Sequence, residues 1–250
     1  MQDKQSVYDK DGFFDLYQKL RSNPNSLNEI VEKPTMLGLV GDVSGKRILD
    51  LGCGCGEHLK LYLERGAAFV AGIDLSQAML QQAAKNLAEF RPHFLLEQAP
   101  MERLEQLNEG GFDLITSSFA FHYVQDFPAL LAKIYAKLKP NGQLVFSQEH
   151  PIVTCYQGGE RWEKDAQKRQ LAYRLNFYRD EGERQRNWFK QPFTTYHRTT
   201  ATIINNLISA GFHIEQMAEP MLADQPQWQD EFKDLQHRPV LLFVKARKNT

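Results

Sequence analysis

The stretch Ile48-Leu49-Asp50-Leu51-Gly52-Cys53-Gly54-Cys55-Gly56-Glu57-His58 is an apolar run that breaks into alternating glycines and then enters a helix-like segment. A strand that turns this tightly into a helix, with no side chains at Gly52, Gly54 and Gly56, lets a ligand lie against bare backbone and its amide groups. A second apolar run, Ala68 to Ile73, ends at Asp74, 22 residues after Gly52. That is near the distance at which strand–turn–helix nucleotide folds place a carboxylate on ribose hydroxyls. Each feature supports the other. Asp50 has two readings, a clasp on loop amides or a ligand contact. Asp74 would otherwise cap a helix, a role that Ser76 already fills.

The residue after Gly56 selects among ligands. A dinucleotide wants glycine there, where its pyrophosphate rests, whereas the carboxylate of Glu57 repels phosphate. A ligand without phosphate and with a cationic centre is undisturbed, and S-adenosylmethionine is such a ligand. Asp50-Leu51-Gly52-Cys53-Gly54-Cys55-Gly56, taken with Asp74, resembles the nucleotide-binding motif of class I S-adenosylmethionine-dependent methyltransferases. The resemblance implies an α/β fold, a doubly wound, mainly parallel seven-stranded Rossmann-like sheet. It also implies S-adenosylmethionine as cofactor, S-adenosylhomocysteine as product, and cofactor contacts at Asp50, Gly52, Gly54, Gly56, Asp74, Leu75, Met101 and Ser117. One position departs from the pattern. Many relatives carry an Asp-Ala pair after the third strand where this chain has Pro100-Met101-Glu102, so adenine recognition falls to backbone near Met101 and to apolar contact.

Three polar clusters lie farther along. Ser117-Ser118-Phe119-Ala120-Phe121-His122-Tyr123 follows the fourth strand, where such relatives place methyl transfer. Ser117 and Phe119 are either ligand contacts there or helix entry and packing. Gln148-Glu149-His150-Pro151 closes the fifth strand, and Tyr196-His197-Arg198-Thr199 precedes a late helix. With Glu219-Pro220 these are similar to a branch of bacterial small-molecule methyltransferases related to the quinone and biotin-pathway enzymes. The candidate bases are His122, His150 and His197, since imidazole titrates near neutral pH. The clusters also have a structural reading, with Thr199 or Thr200 capping a helix and Arg198 pairing with Glu149.

These residues need a frame. Strand-like and helix-like segments alternate from Ile48 to Ser147, with Ser76 opening a helix that runs to Asn86, which argues for a mainly parallel sheet. The chain divides into an N-terminal helical segment (1–46), a cofactor-binding core (47–150), an inserted aromatic lid (151–198) and a completion of the core (199–250). The N-terminal segment offers Tyr8, Phe13, Phe14 and Tyr17 as an apolar face. The lid holds nine aromatic residues, more than a solvated loop needs. An insertion after the fifth strand is placed to roof a site beyond the carboxyl ends of the strands. The expected acceptor contacts are therefore Tyr17, Trp188 and Tyr196, or else the lid aromatics form only a core of their own.

Composition bounds the partners. The 250 residues are 42% apolar with a net charge of -1, so no global field gathers nucleic acid or anionic membrane. Between Glu160 and Arg198 ten Lys or Arg face six Asp or Glu, a modest excess read as a solvated face, with RNA as the alternative partner. No long apolar span or signal-peptide pattern stands out, which points to a cytoplasmic protein without membrane segments. Cys53, Cys55 and His58 lie inside the turn already explained and lack a further ligand cluster, so no metal is expected. The expected activity is in-line methyl transfer to a small or medium-sized acceptor. An RNA methyltransferase, a noncatalytic S-adenosylmethionine-binding protein and a nucleotide-dependent oxidoreductase are the alternatives.

Overall fold

Alternate residues along each central strand divide the core into two apolar clusters. On β1 (Arg47–Leu51), Leu49 and Leu51 face one cluster and Ile48 the other. On β2 (Phe69–Asp74), Ala71 and Ile73 oppose Val70, and on β4 (Phe112–Ser117), Ile115 opposes Leu114. Successive side chains of a strand point to opposite faces, so a strand apolar at every position is buried on both sides. The computed structural model describes Asp9, Phe14, Lys19 and residues 22–188, 191–221 and 232–250; of Trp188 it describes the backbone alone. Tyr8, Phe13 and Tyr17 lie outside the described residues.

With β3 (Phe94–Gln98), β5 (Leu138–Glu149), β10 (Phe212–Ala218) and β11 (Leu241–Lys248), these strands form a seven-stranded sheet in the order β10-β11-β5-β4-β1-β2-β3. β3, β2, β1, β4 and β5 run parallel, and β11 is antiparallel to both β5 and β10. The chain winds outward from β1 to β3 and then returns to β4 on the other side. The crevice at the carboxyl ends of β1 and β4 is therefore the switch point where such sheets bind ligands.

The helices begin where the local chemistry stops the orphan amides from going unpaired. After α1 (Lys33–Val40), which continues a π-helical turn at Asn28–Glu32, comes α2 (Glu57–Glu64), entered through Gly56 at φ 74°. Ser76 opens α3 (Gln77–Asn86), its hydroxyl accepting from the Met79 amide at 3.2 Å, with Met79, Leu80 and Ala83 buried. Asp126 caps α4 (Phe127–Lys137), accepting from the Ala129 amide at 3.0 Å. Each such cap contributes about 1 kcal/mol.

β5 begins with an irregularity beside β4. Leu138 pairs with Phe112 and Gln143 with Leu114, so Lys139 to Gly142 bulge out of the ladder. A Cβ at Gly142 would meet the Lys139 carbonyl at 2.9 Å. The insertion folds into a short helix, α5 (Pro151–Thr154), and two hairpins, β6 (Trp162–Lys164) with β7 (Gln170–Tyr173) and β8 (Gly182–Trp188) with β9 (Gln191–His197). Thr199 then caps α6 (Thr200–Ser209), accepting from Thr202 at 3.2 Å. Among the described residues no helix is long and apolar enough to cross a membrane.

Candidate functional site

The β1–α2 loop is pinned to the end of β2 by main-chain bonds. The Gly52 and Cys53 amides donate to the Ile73 carbonyl at 2.8 and 3.0 Å, and the Gly56 amide donates to Cys53 at 2.9 Å. The three glycines do different work. A Cβ at Gly52 would stand 2.8 Å from the Ala120 methyl, and one at Gly56 would stand 3.1 Å from the Ala83 methyl. A Cβ at Gly54 would meet nothing within 4 Å, yet Gly54 lines a cavity of about 730 Å³. Its bareness leaves the backbone open to whatever fills that space.

Asp74 holds this cradle from below. One carboxylate oxygen accepts from the Gly54 amide at 2.9 Å and the other from Ser76 at 2.8 Å. Burial pushes its pKa up, and the two amide bonds pull it back. A carboxylate has about four acceptor positions, so each oxygen retains capacity for a ligand hydroxyl. Asp9, for which the sequence carried no signal, accepts from the Ser76 hydroxyl at 2.6 Å and the Ala78 amide at 3.2 Å. Asp9 thus meets the same helix start as Asp74.

Asp50 resolves differently from the clasp on loop amides. Its side chain accepts from the Thr116 hydroxyl at 2.8 Å, and burial pushes its pKa from 3.8 up to about 6 against the pull of His58 and Thr116. Asp74, not Asp50, bonds a loop amide. Ser117 donates to the Leu51 carbonyl at 2.8 Å, tying the tips of β4 and β1 together. Met101 packs against the core, its terminal methyl 3.4 Å from where a Gly52 Cβ would stand, and the Leu75 carbonyl accepts from Gln98 at 3.4 Å. Glu57 lines the cavity with Lys33 3.5 Å away, so its charge is in part matched.

The far wall of the cavity comes from distant segments. Phe119, His122 and Tyr123 follow β4, Glu149 ends β5, and Arg186 and Phe193 come from the β8–β9 hairpin. Phe119 sits at φ 53°, where a bulky residue is strained by about 1–3 kcal/mol. Its amide is held by the Ser147 carbonyl at 3.1 Å and hydroxyl at 3.2 Å. That hydroxyl and the one of Ser118 both donate to Glu32 at 2.7 Å. Glu32 is 1% exposed, and its other oxygen lies 3.8 Å from His58.

The three candidate histidines separate. His197 is fully buried, its Nδ1 2.8 Å from the Thr154 hydroxyl and its Nε2 2.9 Å from the Tyr178 carbonyl. His150 caps α5, its Nδ1 accepting from Ile152 at 3.1 Å and its Nε2 2.8 Å from Glu219. His122 lines the cavity with one long contact, 3.5 Å from the Glu149 amide to Nδ1. Burial draws its pKa below 6.5, aided by Arg186 and Arg198 and opposed by Glu149, so the imidazole is neutral at pH 7. Arg198 does not pair with Glu149. It donates to the Val124 and Gln125 carbonyls, while Arg186 lies 3.6 Å from Glu149. Arg186 and Glu32 were missed as site residues. The only signal for Arg186 is its alternation with exposed Glu183 and Gln185 along β8; Glu32 gave none. Tyr196 is half-buried on β9. Among the described residues no group of His, Cys, Asp and Glu gathers as metal ligands would.

Comparison with known proteins agrees with this geometry. A methyltransferase-domain family model matches residues 48–142. The chain is 67% identical over 251 residues to an uncharacterized protein of Haemophilus influenzae, covering 99% of each chain. It is 38% identical over 112 residues to a ubiquinone biosynthesis O-methyltransferase of Neisseria meningitidis, covering 42% of this chain and 45% of that one; it thus spans under half of that named relative. A solved S-adenosylmethionine-dependent methyltransferase of Mesorhizobium loti is 35% identical and superposes with a TM-score of 0.79, over 89% of this chain and 100% of that one. With the glycine cradle at the sheet's switch point, that full-length likeness shows that the chain belongs to the class I S-adenosylmethionine-dependent methyltransferases.

Proposed function

We propose that this methyltransferase acts on a small or medium-sized acceptor with apolar surface, bound between Phe119, Tyr123 and Phe193, with His122 taking a proton when the acceptor must lose one. The observation that carries the reading is continuity: one cavity is lined at one end by Gly52 and Gly54 and at the other by His122, Glu149 and Arg186. At about 730 Å³ it is in the range of small-ligand sites. The match to an O-methyltransferase named for ubiquinone biosynthesis supports a small acceptor.

The residues present fit the cofactor. Gly54 leaves room for it, Asp74, with Leu75 next to it, has spare acceptor capacity that suits ribose hydroxyls, and Met101 beside Gly52 would offer apolar contact. When bound, S-adenosylmethionine supplies a methyl group on a sulfonium, which a nucleophile displaces in line. The protein's share is alignment and water exclusion, and alignment alone contributes on the order of 7 kcal/mol in favourable cases. His122 is poised as a base because it is neutral and lightly engaged. While Nδ1 accepts from the Glu149 amide the ring proton sits on Nε2, so His122 serves as a base by giving up that contact, which at 3.5 Å is long enough to be weak. His150 and His197 spend both ring nitrogens on neighbours, which favours structural roles for them.

The test is methyl transfer from labelled S-adenosylmethionine into a cellular small-molecule extract and, in parallel, into total RNA. Label entering a small molecule with the native protein, and not with His122→Gln, is the expected result. Label entering RNA alone, or no transfer by a protein that binds the cofactor, overturns the reading.

A further inference from the structure

Few large apolar side chains among the described residues are exposed. Among the described residues six stand out, and Leu171, Leu175 and Phe177 fall close together in sequence with 55%, 51% and 53% of their surface open. The hairpin that carries Leu171 and leads into the loop with the other two has an interior of its own. Trp162 and Tyr173 are partners across β6 and β7 with rings 5.0 Å apart, and the Arg238 guanidinium lies 4.5 Å from the centre of the Tyr173 ring. The Tyr173 hydroxyl donates to the Ile152 carbonyl at 3.3 Å, fixing the hairpin to the core. The three apolar groups therefore stay outside a packed element. Phe177 is held there at φ 60°, a conformation that bulky residues avoid.

The charges around them are mostly positive. From Arg161 to Arg179 six Lys or Arg face two Asp or Glu, although the whole chain carries a net charge of -1. Asp165 is taken by Arg169 at 2.6 Å. Lys164, Lys168, Arg174 and Arg179 are exposed, and no carboxylate among the described residues forms an ion pair with them. Exposed apolar groups interspersed along the chain with exposed cations complement the boundary of an anionic bilayer, where apolar side chains enter the acyl region and cations meet phosphate. We propose that the β6–β7 hairpin and the loop after it dock this methyltransferase on an anionic membrane surface through Leu171, Leu175 and Phe177. The same insertion supplies Arg186 and Phe193 to the cavity wall, so docking brings that insertion to a lipid surface that stores apolar molecules. This last consequence rests on the apolar-acceptor reading; the docking itself does not.

The full chain is sedimented with vesicles of phosphatidylcholine and with mixed vesicles of phosphatidylcholine and phosphatidylglycerol. Binding to the mixed vesicles alone is expected, weakened by salt. The triple variant Leu171→Asn, Leu175→Asn, Phe177→Asn abolishes it, asparagine being at ease with the left-handed φ at Phe177. Glutamine at Lys164, Lys168, Arg174 and Arg179 weakens it about fivefold per charge. Melting temperature and S-adenosylmethionine affinity stay unchanged in both variants, so a failure of the cofactor reading shows in titration and a failure of docking in sedimentation alone. No binding of the native chain to mixed vesicles overturns the proposal. So does a triple variant that binds as well as the native chain, or a dimer that the triple variant dissociates, which makes a second copy the occupant.

Discussion

The proposed cofactor and acceptor ends of the cavity are built by different means. The cofactor end is main chain: the loop from Gly52 to Gly56, clasped by Asp74 and backed by Asp50, all within residues 50–76. The acceptor end is side chain: His122 from the β4 tip, Glu149 from β5, and Arg186 and Phe193 from the β8–β9 hairpin, over a floor anchored by Glu32. A cofactor common to a whole family is met by backbone, which side-chain changes cannot alter. An acceptor particular to one protein is met by side chains that can change without disturbing the cradle.

That contrast breaks most sharply at Gly54. Gly54→Val places a branched side chain in the open space before the loop and should abolish cofactor binding in calorimetry. The protein itself should stay folded, at a cost of about 1–3 kcal/mol for a non-glycine residue at φ 53°. Normal affinity would put the cradle elsewhere.

The acceptor end should fail in the opposite way. His122→Gln is expected to lower turnover about a hundredfold or more, as loss of a general base does, with cofactor affinity unchanged. The native enzyme should show an acid limb in kcat/KM below pH 6.5, where His122 gains its proton, and the variant should lose that limb. A limb retained in the variant assigns the titration to another group.

A smaller effect is expected from the lid. Trp188→Ala combined with Tyr196→Phe should reduce acceptor turnover about tenfold, the scale of a small loss of acceptor contact, with cofactor affinity unchanged. If cofactor affinity fell with it, the lid would clamp both ligands and the division between the two ends would disappear.

The smallest effect concerns stability. The pKa of Asp50 is raised from 3.8 to about 6 in the fold, so its contribution to stability is whole below pH 3.8 and is lost as pH rises through about 6. Asp50→Asn, which can still accept from Thr116, should therefore melt a few degrees higher than the native chain at pH 8. The difference should vanish in melts at about pH 4. An unchanged melting temperature at pH 8 would show that the Asp50 charge is compensated in the fold.

How legible these features were depends on the range of the interactions behind them. α3 could be read to within a residue because Ser76 and the spacing of Met79, Leu80 and Ala83 lie inside the element. The lid hairpins could not. β8 runs Gly-Glu-Arg-Gln-Arg-Asn-Trp, polar on both faces for most of its length, and so lacks the apolar alternation that announces a strand. The expected pairing of Arg198 with Glu149 is not made, and Arg186, brought in on β8, lies 3.6 Å from that carboxylate. Arg198 instead turns to carbonyls beside Phe127.

By itself the sequence determined the parallel sheet, the glycine cradle and the carboxylate at the end of β2, because strand periodicity, tight turns and helix caps act between residues close along the chain. Which acid bonds the loop, which histidine faces the cavity and which arginine meets Glu149 were decided only in the tertiary structure. Glu32 reaches Ser147 across 115 positions and Thr116 reaches Asp50 across 66. The first comes from packing the π-helical turn against β5 and the second from pairing β1 with β4, where Asp50 and Thr116 are register partners, and no local pattern carries either.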